Sequence, residues 1–98
     1  MAELVVGAKD RAAPYFKEGA SEASEGRLQD AIITLRQGLA IQPDNAEGHN
    51  QLGEILAKMP GMLPEAISEF QTALKLKPSY IVAQRNLKSA LERERNRS

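Results

Sequence analysis

The chain has 98 residues, no cysteine, one histidine and a formal net charge of +0, with 42% hydrophobic and 27% charged residues. That composition suits a folded chain rather than a disordered one. It excludes disulfide stapling, thiolate metal sites and clustered imidazole ligands, and the charge balance argues against a nucleic-acid coat.

The first residues, Met1-Ala2-Glu3-Leu4-Val5-Val6-Gly7, carry an acid where an export signal has a base, and their apolar run spans only Leu4 to Val6. No apolar run approaches the roughly 18–20 residues that cross a bilayer. Membrane insertion is therefore not expected, and a cytoplasmic location is. Asp10 predicts an N-cap for a helix over 11–24, with Pro14 in its first turn, and Gly26 marks the turn that follows.

The second helix is predicted over 27–41. Leu28, Ala31, Ile32, Leu35 and Leu39 recur at i, i+3, i+4, i+7 and i+11, and Arg27, Asp30, Thr34, Arg36 and Gln37 take the opposite face. Gly38 sits mid-helix at a cost of about 1 kcal/mol against Ala, which close helix contact would explain. A third helix, 46–59, starts at Asp44 as N-cap with Glu47 completing a capping box. Leu52, Ile55 and Leu56 form its stripe, and Gly48 and Gly53 are small notches. Pro60-Gly61 ends it. Pro64 then suits the first position of a fourth helix, 64–77. Ser79 can cap a fifth, 80–95, carrying Leu87 and Leu91.

Residues 28–43, LQDAIITLRQGLAIQP, repeat as residues 63–78, LPEAISEFQTALKLKP, at an offset of 35 without gaps. Leu87 and Leu91 repeat Leu52 and Leu56 at the same offset. Short joints between all five helices predict antiparallel neighbours. With aromatic residues at only 4%, thin layers of closely packed helices are expected rather than one bulky core.

This pattern resembles the tetratricopeptide repeat. Leu52-Gly53, Leu56, Ala66, Phe70, Ala73 and Pro78 stand at the signature places of the central copy, with His49 where the family has Trp. Tyr15, Gly19, Ala31, Leu35, Gly38 and Pro43 do so in the first copy, and Ala83, Leu87 and Leu91 in the last helix. The resemblance implies an all-α, right-handed helical-hairpin repeat, an α-solenoid of about two and a half repeats. Its divisions are an extension over 1–11, repeats over 12–45 and 46–80, and a capping helix over 81–98. Two departures stand out. The turn at Met59-Pro60-Gly61-Met62 makes the central copy one residue long. In the first helix Glu18 and Glu22 fall where apolar residues belong, while a slip of one residue would bury Phe16, Gly19, Ala20 and Ala23.

The resemblance also implies a non-catalytic protein-interaction module whose concave face receives a peptide or helix of another protein. The lining residues would be Phe16 and Ala20, then Glu47, Asn50, Gln51, Glu54 and Lys58, then Arg85, Asn86, Ser89 and Arg93. Asn50, Gln51, Arg85 and Asn86 stand out because they offer amide and guanidinium donors. The family's carboxylate clamp for chaperone tails is not matched, since Phe16, Ala20, Gln51, Val82 and Asn86 occupy its places. No phosphate loop, nucleophile arrangement, metal cluster or cofactor site is expected, and His49 reads as a half-buried stand-in for Trp.

The alternative is a self-assembling unit, homodimeric or head-to-tail, using its terminal helices. Tyr80, Ile81, Val82 and Ala90 would leave an apolar strip on the last helix, and Leu4-Val5-Val6 would serve the other end. Charge separates along the chain. Residues 1–45 hold five bases and seven acids, residues 46–80 three and four, and residues 81–98 five and two. The carboxy-terminal helix is thus the basic end.

Overall fold

The computed structural model describes residues 7–97, so the expected role of Leu4, Val5 and Val6 lies outside the described residues. Five α-helices and no strand occur among the described residues: α1 Ala8–Ser24, α2 Leu28–Ile41, α3 Ala46–Ala57, α4 Leu63–Leu76 and α5 Ile81–Arg95. The chain divides into two compact units at Pro43 and Asp44.

The first unit is the hairpin of α1 and α2. α1 begins at Ala8, three residues before the expected start, with Gly7 in extended conformation at its N-cap and no side-chain cap. Asp10 therefore does not cap; it lies within the first turn, near the positive end of the helix dipole. Pro14 consequently falls beyond the first turn, where it removes the bond its N–H would give to the Asp10 carbonyl. The carboxy-terminal end is closed by backbone bonds. Arg27 N donates to Glu22 O at 2.9 Å and Gly26 N to Ala23 O at 3.0 Å. Gly26 takes φ +80° there, a left-handed turn that favours glycine.

The two possible registers of α1 are resolved. Ala12, Gly19 and Glu22 are buried, Tyr15, Phe16 and Ala23 are half-buried, and Ala20 and Glu18 are exposed. Glu22 thus takes an inward place while Ala20, which the slipped register would bury, does not. The Glu22 Oε1 is buried without a hydrogen-bond partner among the described residues, while its Oε2 stays 3.9 Å from Arg27 Nη2. Opposite, α2 buries Ala31, Ile32, Leu35 and Leu39 as its spacing predicts, with Leu28 of the same stripe half-buried and Gly38 buried beside it. Thr34 is buried as well, against its expected place on the polar face.

Two glycines set the approach of these helices. A Cβ on Gly19 would stand 2.6 Å from Leu35 Cδ2, and one on Gly38 would stand 3.0 Å from both Tyr15 Cβ and Phe16 Cε1. Close contact is therefore the physical reason for the mid-helix Gly38.

The second unit holds α3, α4 and α5. The N-cap of α3 is Asn45, not Asp44: the Asn45 Oδ1 accepts from Gly48 N at 2.7 Å. That satisfies one of the open donors of the first turn. α3 stops at Ala57, two residues short of the expected end, and Gly61 carries the following turn at φ +79°. α4 begins at Leu63, one residue before the expected start, so Pro64 takes its second position, still within the first turn.

The core of this unit is built from Leu52, Ile55 and Leu56 of α3, Leu63, Ala66, Phe70 and Ala73 of α4, and Ala83 and Ala90 of α5. Phe70 is the largest of these and lies over Gly53, where a Cβ would stand 2.6 Å from its Cε1. A methyl there must displace the ring of a buried residue, so Gly53→Ala should destabilise by about 1–2 kcal/mol in equilibrium unfolding. A neutral result would mean that α3 and α4 can separate without penalty. His49 is half-buried, and its Nδ1 lies 2.7 Å from Glu69 Oε1, tying α3 to α4. Lys77 Nζ adds a second tie to Glu47 Oε1 at 3.1 Å.

Candidate interaction groove

The second unit forms a hollow of about 220 Å³ between α3 and α5. Ala57 and Ala90 narrow its walls, and Phe70 of α4 lies at its base. Its polar lining comes from Glu54 on α3 and Lys58 at the C-cap of α3, and from Asn86, Ser89 and Arg93 on α5. These places follow from helical spacing. Glu54 and Lys58 are one turn apart, and Asn86, Ser89 and Arg93 recur at i, i+3 and i+7. Small residues at Ala83 and Ala90 let α5 approach its neighbours closely, and both are buried.

Asn50 stands behind this surface. It is only 2% exposed, although the sequence places it among the lining residues. Its Nδ2 donates to Glu54 Oε1 at 2.9 Å and to the Tyr80 hydroxyl at 3.4 Å, and its Oδ1 accepts from Asn86 Nδ2 at 2.9 Å. A buried amide needs such partners. Asn50 therefore orients Glu54 and Asn86 rather than meeting a ligand. Arg93 ties the far end of the groove, donating from Nη2 to the Ala57 carbonyl at 2.9 Å. That carbonyl belongs to the last residue of α3, where the helix dipole favours a cation.

Of the residues expected to line a binding face, Glu54, Asn86 and Ser89 meet in the hollow, together with Lys58 and Arg93. Glu47 is exposed and paired with Lys77, Gln51 is half-buried and Arg85 is exposed; none of these lines the hollow. Phe16 and Ala20 belong to the first unit. There the Phe16 ring lies against α2 at Gly38, and Ala20 is exposed.

Tyr80 is the member of the site that sequence reasoning assigned otherwise. It was expected in an apolar strip, but its hydroxyl belongs to the Asn50 network and its ring receives Lys77 Nζ at 5.0 Å from the centroid. Ala90, expected in the same strip, is buried, whereas Ile81 and Val82 are exposed.

Burial first, then the negative charges of Glu47 and Glu54, push the Tyr80 phenol above its ordinary 10.0. The neutral phenol is favoured in the folded chain. The associated stability is present below pH 10 and is lost as pH rises through the raised value. In a Tyr15→Phe background, the phenolate absorbance should have a higher midpoint in the folded than in the urea-unfolded chain. Equal midpoints would count against a desolvated phenol.

No described helix is long and apolar enough to cross a membrane. Residues 19–59 match the family model described as TPR repeat, a span running from within α1 past the end of α3. The comparison with curated proteins returns no match.

Proposed function

We propose that this chain, a TPR-repeat protein by its residues 19–59, binds a peptide segment of another protein in the groove between α3 and α5. TPR repeats generally mediate protein–protein interaction. The observation that carries the finer reading is the hollow itself. It joins two cationic side chains, Lys58 and Arg93, and one carboxylate, Glu54, with the amide of Asn86 and the hydroxyl of Ser89, so the cations outnumber the acid. The matching ligand is a peptide with an acidic side chain for the cations and a small apolar side chain over Ala57 and Ala90. Asn50 holds Glu54 and Asn86 in place, which lowers the ordering cost of binding. Glu47, Gln51 and Arg85 remain further proposed contacts within the second unit, and Phe16 and Ala20 remain proposed contacts of the first unit by itself. The function needs no cofactor and no catalytic group.

A peptide array probed with the full chain tests this. Lys58→Glu combined with Ser89→Glu should weaken capture of acidic peptides by on the order of tenfold. Lys17→Glu, exposed on α1 and outside both hollows, should leave capture unchanged. Equal capture by wild type and the groove variant would falsify the assignment.

A second reading, self-association through α5, is favoured by a different observation. Ile81, Val82 and Leu91 are exposed on this helix, and a further hollow of about 440 Å³ opens where α5 meets α4.

A further inference from the structure

The second hollow has an apolar base of Leu74 from α4 with Leu87 and Leu91 from α5, and Leu91 is 46% exposed. Its rim on α5 carries Lys88 and Glu92, one helical turn apart. Gln84, Leu87, Lys88, Leu91, Glu92 and Arg95 recur at i, i+3, i+4, i+7, i+8 and i+11, so they form one continuous stripe along α5. This stripe lies on the flank of α5 that faces α4, whereas Asn86, Ser89 and Arg93 lie on the flank that faces α3. The two surfaces are separate, so occupation of one does not require the other.

We infer that a second copy of this chain covers this flank, with the two α5 helices antiparallel about a two-fold axis level with Ala90. The inference rests on the self-association reading and adds the surface, the orientation and the register. Charge carries it. Lys88 and Glu92 are both exposed, and neither forms an ion pair among the described residues. In an antiparallel helix pair, a given edge of one seam meets the same edge of the other. A two-fold level with Ala90 sets Lys88 of each copy opposite the partner's Glu92, so the pair forms twice. Leu87 and Leu91 of both copies then close the seam between these pairs, removing exposed leucine from water. A parallel arrangement sets each edge against the opposite edge of the partner, so Lys88 and Glu92 do not meet across the seam there. The Lys88–Glu92 edge is therefore complementary to itself in the antiparallel orientation.

Light scattering on the full chain across a concentration series reads the mass, which should rise from 10.7 kDa toward twice that value. Lys88→Glu alone, or Glu92→Lys alone, should raise the dimer Kd by on the order of tenfold, because each makes both cross-pairs repulsive. The double exchange, Lys88→Glu with Glu92→Lys, should restore the wild-type Kd. Both positions of change are exposed, and circular dichroism verifies that helicity is kept. A chain of single mass at every concentration would overturn both this inference and the self-association reading, leaving the flank to a helix of another protein. A dimer indifferent to the single reversals would overturn this inference alone, and so would a double exchange that fails to restore the affinity. In both cases the groove proposal, tested on Lys58 and Ser89, is untouched.

Discussion

Phe70→Ala should lower the unfolding free energy by about 3–5 kcal/mol, the largest effect expected from a single truncation in this chain. Phe70 is 2% exposed, and it is the largest of the side chains that solvent essentially does not reach. Its neighbours explain why the loss cannot be recovered by repacking. Gly53 has no side chain to move into the space, and Ala66 and Ala73, on the buried face of the same helix, have only a methyl group each. A cavity would therefore persist, and its cost adds to the lost transfer energy of the ring. Denaturant titration followed by circular dichroism measures the change. A shift below about 1 kcal/mol would place Phe70 outside the core. Because the ring also forms the base of the α3–α5 hollow, the variant should lose peptide capture even under conditions where it stays folded.

Asn50→Leu should cost about 2–3 kcal/mol, although leucine is of similar size and more apolar. The substitution strips partners from three groups at once: Glu54 Oε1, the Tyr80 hydroxyl and Asn86 Nδ2. Stranding partly buried polar groups costs more than the bonds themselves contribute in net terms. A double variant, Asn50→Leu with Asn86→Leu, separates the two effects. It removes the stranded donor as well as its acceptor, so its cost should fall short of the summed single costs by about 1 kcal/mol. Strict additivity would show that the two amides are not coupled. Asn50→Leu should also weaken peptide capture at the groove, since the Asn86 amide loses the acceptor that orients it.

The contrast between Gly53 and Asn50 shows which features are readable from a one-dimensional pattern. The stripe of Leu52, Ile55 and Leu56 depends on helical periodicity alone, and so do the matching places of Ala66, Phe70 and Ala73. Gly53 was readable as a notch because the repeat supplies a bulky residue, Phe70, to fill it. Asn50 carried no such signal. An asparagine on the edge of an amphipathic stripe looks solvated until a helix 30 to 36 residues further on delivers Tyr80 and Asn86 to it.

Helix ends were less readable for a local reason. Asp44 and Asn45 are adjacent and chemically equivalent as caps, and only the observed bond to Gly48 N selects Asn45. At α1 no side-chain cap operates at all, so the pattern around Asp10 pointed to the wrong start. Glu22 is a similar case. Its place within 3.9 Å of Arg27 depends on the turn at Gly26 bringing the guanidinium back, which neither residue announces on its own.

Short-range spacing was thus enough to specify five helices, their order and the apolar stripe of each, because a helix repeats every 3.6 residues and its stripe is written locally. The same spacing placed Glu54, Lys58, Asn86, Ser89 and Arg93 on shared helix faces. Their convergence into one hollow, and the withdrawal of Asn50 behind it, came from the packing of α5 beside α3 and α4. Burial and hydrogen bonding of a polar side chain are set by what another helix brings against it, and no local pattern along α3 contains that information.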